Sequence, residues 1–274
     1  VEVTIEDDSR RKIWGLHPNV FFMGLTSFLT DISSEMVFNL IPFYLTNVLK
    51  APMTIVGVVG GVSEGADAFF RMLSGWFSDK IGKRKILAVS GYSISTIAKP
   101  FMYLASTWGA VLAVRFGDRV GKGIRTSPRD ALVADSVSAG ERGRGFELHR
   151  AMDTFGAVLG LAIAAIIVYL VQSGGLELSL KTYQWLVLAG TVPAVLAVLV
   201  LLIFVRERGR KPLSGGGAHH GLSLSKLRAG FDTRFKLFLV VMAVFTLGNS
   251  SDFFVILRAQ NLGSSVIHVV LMLV

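Results

Sequence analysis

Asp31 and Glu35 stand in the stretch T-D-I-S-S-E-M-V-F, residues 30–38, inside a run that is otherwise mostly apolar. At about 100° per residue two acids four apart share one side of a helix, and Ser27 and Ser34 fall on that side with them. The back of the same helix is Leu, Ile, Phe and Val. A charge at mid-bilayer costs at least about 2.5–3.5 kcal/mol on insertion scales, so it turns to a bundle interior or a wet cavity. Two kinds of chemistry suit such a pair: taking up and releasing a proton, or touching a polar solute. A plain ion pair with a basic neighbour is the structural alternative. Ser250-Ser251-Asp252 repeats the Ser-Ser-acid pattern in a later apolar run, with Phe245 and Leu262 at the offsets of Phe28 and Leu45.

A second constellation is V-R-F-G-D-R-V-G-K-G-I-R-T-S-P-R-D, residues 114–130. Arg115, Asp118, Arg119, Lys122, Arg125, Arg129 and Asp130 all fall on one side of a helix, opposite Gly117, Val120, Ile124 and Ala131. The stripe is expected to face an aqueous path; a helix lying flat at the membrane boundary is the other reading. Arg115, Arg119, Lys122 and Arg129 are candidate path-lining groups, and Pro128 is placed to kink this segment. Elsewhere at membrane depth Asp67 precedes Arg71 by four residues, and Asp153 follows His149 by four and Arg150 by three. The basic set (Arg71, Lys99, Arg115, Arg119, Lys122, Arg125, Arg129, Arg150, Arg258) is matched in number by Asp31, Glu35, Glu64, Asp67, Asp118, Asp130, Glu147, Asp153 and Asp252. That balance leaves the charge of any solute unassigned. Asp31, Glu35, Asp67, Asp153 and Asp252 are the candidate coupling acids.

The elements that must hold these groups are long apolar segments. The 274 residues are 52% hydrophobic and only 17% charged, with a mean hydropathy of +0.58, against about 25% charged in ordinary soluble domains. Apolar runs reach the roughly twenty residues needed to cross a hydrocarbon core. The class is an all-α polytopic membrane protein. Helices are expected at about 19–47, 53–77, 85–106, 108–134, 146–172, 183–205 and 235–258, with another starting near 265. Residues 1–18 read as a cytoplasmic tail, 19–205 as a six-helix bundle, 206–234 as a basic linker and 235–274 as the start of a second bundle. The sequence starts at Val1 and stops within an apolar run, so it reads as part of a longer chain.

Loop charges set an expected orientation. Arg10, Arg11 and Lys12, then Lys80, Lys83, Arg84 and Lys85, then Arg142 and Arg144, then the run from Arg206 to Lys236 lie in alternate loops. The opposite loops carry Lys50 and Lys181. The positive-inside rule therefore places the N-terminus in the cytoplasm. The net charge of +9 belongs to those loops, so no nucleic-acid partner is expected. There are no cysteines, which removes thiol and zinc-thiolate chemistry. His219-His220 reads as loop filler, and Val120 to Gly123 lacks the Walker spacing of a phosphate loop. No cofactor, no metal and no catalytic constellation is indicated. Gly57, Gly61 and Gly65 form a small-residue face suited to close helix approach.

Between the second and third segments stands G-W-F-S-D-K-I-G-K-R-K, Gly75 to Lys85. This resembles motif A of the major facilitator superfamily, G-x-x-x-D-[RK]-x-G-[RK]-[RK], at every defining position. Arg115, followed by Gly121 and Gly123, is similar to that family's motif B. Gly121 to Leu132 resembles a prokaryotic branch of the superfamily whose solute is not evident. The resemblance implies the family fold, here the N-terminal six-helix bundle and the start of the C-terminal one, working by alternating access around a central cavity. It implies a charged cytoplasmic latch built from Gly75, Asp79, Gly82, Lys83 and Arg84. One departure stands out: Gly156 and Gly160 are followed by Leu161 instead of the Pro and glycine pair of the antiporter signature. The expected activity is secondary active transport of a small solute, proton-coupled, with efflux or antiport slightly favoured over import. An organic-anion facilitator or a non-transporting sensor on the same fold are the alternatives. A monomer in a cell inner membrane, meeting a small solute and the lipid bilayer, is the expected setting.

Overall fold

The computed structural model describes residues 13–172, 176–207, 232–248 and 251–273, and among these the ordered elements are helical. Helix α1 spans Pro18–Phe38 and starts with Pro18 at its first position, where a missing N–H is harmless. His17 caps it by accepting the Asn19 N–H at 3.1 Å. The expected single helix through residue 47 is broken: a one-turn segment at Ile41–Phe43 and a π-helical turn at Tyr44–Val48 follow. Helix α2 covers Met53–Ile81 and ends at Gly82, whose φ of 71° makes a left-handed cap. Helix α3, Arg84–Ala98, tightens into a 3-10 turn at Lys99–Leu104. Pro100 there has no N–H to continue the α ladder.

Helix α4, Trp108–Asp135, runs unbroken through Pro128. Helices α5, Arg142–Gln172, and α6, Leu180–Phe204, are capped or preceded by polar turns. Helix α7 is Thr233–Gly248 and α8 is Asp252–Asn261, so the segment expected as one helix over 235–258 is two. Ser251 is non-helical, and Asp252 in the first turn favours a helix start. Helix α9 spans Val266–Leu273.

Two compact units result. One holds Val1–Arg208 with Phe253–Val274, and the other holds Gly209–Asp252. In the first unit α1 packs mainly on α5 and α6, while α4 packs mainly on α2 and α3. The bundle is thus two three-helix groups, meeting where α1 faces α4 and where α3 meets α6. Within each group backbones approach closely at glycines. A Cβ on Gly156 would lie 2.5 Å from the Phe28 carbonyl oxygen, and one on Gly160 would lie 2.6 Å from that of Ile32. On the other side a Cβ on Gly91 or on Gly121 would lie 2.6 Å from the carbonyl oxygen of the other, and one on Gly123 would lie 2.8 Å from that of Asp67. The expected small-residue face of α2 does not act this way: Gly61 and Gly65 have nothing near, and only Gly57 meets a side chain, that of Phe254.

An apolar core around Met36, Val37, Phe43, Leu161, Leu186 and Val187 fills one end, and a second around Val20, Met23, Tyr92, Leu132 and Leu201 fills the other. The exterior is apolar too, with Phe69, Met72, Phe155, Leu170, Val192 and Ile203 exposed. An outer surface of that kind belongs in lipid. Among the described residues α2, α5 with its preceding turn, and α6 are long and apolar enough to cross a membrane by length and composition alone. The charges of α1 and α4 lower their hydropathy.

Candidate functional site

Where α1 meets α4 the facing sides are polar. Asp31, Ser34, Glu35, Phe38 and Asn39 from α1 and Arg115, Asp118, Arg119, Lys122 and Arg125 from α4 line one small cavity of about 40 Å³. The two arcs expected from helical spacing are therefore brought together. The cationic row of α4 points inward, since Arg115, Asp118 and Arg125 are each at most 4% exposed.

Arg115 is the centre of this layer. Its guanidinium lies 3.6 Å from Asp118 and 3.7 Å from Glu64, and stacks 4.4 Å above the Phe38 ring. Arg119 pairs with Glu64 at 2.8 Å. Asp118 also accepts a hydrogen bond from Ser95. Ser95 stands on α3, so this contact ties α3 to α4. Glu35 accepts a hydrogen bond from the Asn39 amide one turn on. Asp31 lies in the field of Arg125, Lys122, Arg129 and Lys99.

Two groups at this level were not singled out from the sequence. Lys99 is fully buried and donates to Ser33 at 2.8 Å and Ser34 at 3.1 Å. The signal that points to it is a lysine followed by proline inside an apolar run, with the ammonium set where the helix narrows. Arg125 lays its guanidinium 4.4 Å over the ring of Tyr92.

A second polar cluster lies beyond Tyr92. Its hydroxyl is 3.1 Å from Ser27, which is 3.0 Å from His149 Nε2 and accepts from Arg129 at 3.3 Å. His149 Nδ1 is 3.5 Å from Asp153, and Arg129 pairs with Asp130 at 2.9 Å. Arg129, Asp130, Phe146, His149, Arg150 and Asp153 line a cavity of about 260 Å³. Arg129 and Asp153 thus sit together, one layer away from Asp31 and Glu35. Tyr92 touches both layers.

Asp67 is elsewhere. It is buried in the seam between α2 and α4, paired with Arg71 one turn on. Asp252 opens α8 with an exposed side chain, and Ser250 of the repeated Ser-Ser-acid pattern lies outside the described residues. So do the basic tail at 10–12, the stretch 208–231 and His219-His220.

The stretch from Gly75 to Arg84 forms the turn between α2 and α3. Gly82 makes the left-handed reversal, and a Cβ on Gly75 would come within 3.4 Å of Ser127 on α4. Arg84 is the anchor: it pairs with Asp79 at 3.7 Å, with Asp135 at the end of α4, and donates to the Ala131 carbonyl at 3.2 Å. Asp79 and Lys83 are exposed. The Glu207 carboxylate accepts the backbone N–H groups of Arg84 at 2.7 Å and Lys85 at 3.0 Å, capping α3 from the end of α6.

A helical bundle with an apolar exterior and ionised side chains gathered between its two halves is a multi-pass membrane protein with a polar internal path. The sequence profile of the Major Facilitator Superfamily matches residues 23–274, and the chain belongs to that family. An uncharacterized MFS-type transporter of Methanocaldococcus jannaschii is 36% identical over 246 residues, covering 90% of this chain and 58% of that protein. The arabinose-proton symporter of Bacillus subtilis is 28% identical over 205 residues, covering 73% of this chain and 39% of that protein. The chain thus spans about half the length of the curated relatives it matches. Among solved structures, a D-xylose-proton symporter superposes with a TM-score of 0.66 at 14% identity, over 93% of this chain and 64% of the other. That likeness is one of fold.

Proposed function

We propose that this chain is the first six-helix half, residues 19–205, with a linker at 206–234 and the start of the second half at 235–274, of a proton-coupled secondary transporter. It moves a small solute by alternating access. The observation that carries the reading is the meeting of Asp31 and Glu35 with the inward cationic row of α4 in one cavity. Ionisable groups held away from lipid and facing each other mark ion and substrate paths. Asp31 and Glu35 are the coupling acids, and Arg115, Arg119 and Lys122 are their counter-charges. Asp153, with His149 and Arg129, forms a relay toward one end. Asp67 and Asp252 take supporting roles, in the α2–α4 seam and in the second half.

The name of one curated relative, an arabinose-proton symporter, supports coupling to protons. It favours neither import nor export here, and the departure after Gly160 leaves the drug-antiport signature incomplete. Gly75, Asp79, Gly82, Lys83 and Arg84 serve as the latch that holds the bundle's cytoplasmic end. The protein works as a monomer in the cytoplasmic membrane with its N-terminus inside the cell, and performs no catalysis.

The test is flux in proteoliposomes of the full-length gene product under an imposed pH gradient. A gradient-driven solute flux is expected, with coupling abolished in Asp31→Asn or Glu35→Gln while downhill exchange of solute persists. Coupling that survives in both variants removes the two acids from this role. Flux that ignores the gradient in the unmodified protein assigns a facilitator instead.

A further inference from the structure

We infer that the α1–α4 cavity binds an oxyanion group, a carboxylate or phosphate on the transported solute, and that Arg125 is its anchor. The inference rests on the transporter reading for its biological setting but not for its chemistry.

The cavity lining carries four cations, Arg115, Arg119, Lys122 and Arg125, against three carboxylates, Asp31, Glu35 and Asp118. Those cations are not equally engaged. Arg115 and Arg119 share Glu64, and Arg115 also holds Asp118. Lys122 and Arg125 have no carboxylate within ion-pair distance among the described residues. Asp118 is occupied by Ser95 and Arg115, and Glu35 by Asn39.

Arg125 is the sharper case. It is only 4% exposed and lines the cavity, yet its Nε and Nη1 have no hydrogen-bond partner among the described residues. The Nε atoms of Arg115 and Arg119 are unpartnered as well. A buried guanidinium with free N–H groups is costly unless something accepts from it. Its five donors form a planar fork that matches a carboxylate or phosphate with two parallel hydrogen bonds.

Tyr92 fixes the fork. Its ring centroid lies 4.4 Å from the guanidinium carbon, and its hydroxyl is held 3.1 Å from Ser27. Gly121 and Gly91 bring α3 and α4 close enough for that stacking, since a Cβ on Gly91 would lie 2.7 Å from the Arg125 Cβ. Lys99 adds a further buried cation behind Ser33 and Ser34. The cavity of about 40 Å³ suits one oxyanion group, with the rest of the solute outside it. A neutral sugar's hydroxyls accept hydrogen bonds singly and lack the paired anionic oxygens that the fork matches.

The experiment measures thermal protection of the purified full-length protein in neutral detergent by inorganic phosphate, by acetate and by D-xylose at matched ionic strength. Phosphate or acetate is expected to raise the unfolding midpoint in a saturable way, and D-xylose is not. Arg125→Gln should weaken the apparent affinity by about tenfold or more. Arg125→Lys, which keeps the charge but loses the fork, should recover only part of it. Lys122→Gln provides a second variant with a milder loss in case Arg125→Gln does not fold. A lysophosphatidate arm separates the two sources of the group: protection by it alone assigns a lipid headgroup, and protection by the salts assigns a soluble solute. Protection by D-xylose alone, by none of the probes, or undiminished in both Arg125→Gln and Lys122→Gln overturns the inference. Binding is read without flux, so a protein that transports a neutral solute sinks this inference and keeps the transporter reading. Anion binding without any driven flux does the reverse.

Discussion

Aspartates that look alike in the sequence hold very different places. Asp118 is buried beside Arg115 and Ser95, whereas the Asp79 side chain is 74% exposed beside Arg84. Removing one partner of a buried pair leaves an uncompensated charge and costs about 3–5 kcal/mol, while an exposed pair contributes about 0–1 kcal/mol. Asp118→Ala should therefore lower the unfolding midpoint in detergent sharply, and Asp79→Ala should scarcely move it. Equal shifts would contradict the burial described above. Spacing made Asp31, Glu35, Arg115, Arg119 and Lys122 legible because a single helix face carries each set. Asp118's partner on α3 was not legible, because no periodicity within α4 reports which hydroxyl stands opposite. Lys99 was counted at membrane depth but its place was not legible, for a related reason: it sits where an α-helix becomes a 3-10 turn and the angular spacing changes.

At the level of elements, four helix spans, α2, α4, α5 and α6, follow from apolar runs to within a few residues, because lipid thickness fixes their length. What hydropathy does not mark is where a helix changes its winding. The π turn after Phe43 follows Asn39 and Pro42 inside a run that is otherwise apolar. Nor does a regular glycine spacing say which glycines are pressed. On α5 both Gly156 and Gly160 face α1 backbone, whereas Gly61 on α2 faces open space. An added methyl at a backbone contact forces a helix shift costing about 1–3 kcal/mol, and in open space alanine is favoured over glycine by about 0.8–1.0 kcal/mol. Gly160→Ala should accordingly reduce the folded yield and the unfolding midpoint. Gly61→Ala should leave both unchanged or improved, as read by size-exclusion profiles before and after heating. A loss for Gly61→Ala as large as for Gly160→Ala would mean that another helix covers that face in the complete protein.

For the whole molecule the strongest organising fact is that its two ends are chemically distinct. At one end Arg84 reaches Asp135, Glu207 caps α3, and Asn19 donates to the Arg206 carbonyl at 2.8 Å. At the other, Lys50 pairs with Glu177 at 3.2 Å and Gln260 donates to the Leu176 carbonyl at 3.0 Å. Loops expected on one side of the membrane from their charge thus contact each other, and so do the loops expected opposite. Lys80, Lys83, Arg84, Lys85, Arg142, Arg144 and Arg206 lie toward the first end, the one proposed above as cytoplasmic. Because these 274 residues contain no cysteine, a single introduced thiol reports its own side. Gly140 lies in the exposed turn after α4 with nothing near its Cβ position, and Lys181 is exposed at the start of α6. In right-side-out vesicles a membrane-impermeant maleimide should label Lys181→Cys and spare Gly140→Cys, and inverted vesicles should reverse the pattern. Labelling of both from one side would break the alternation on which the crossing of α5, and with it the inward direction of the charged layer, depends.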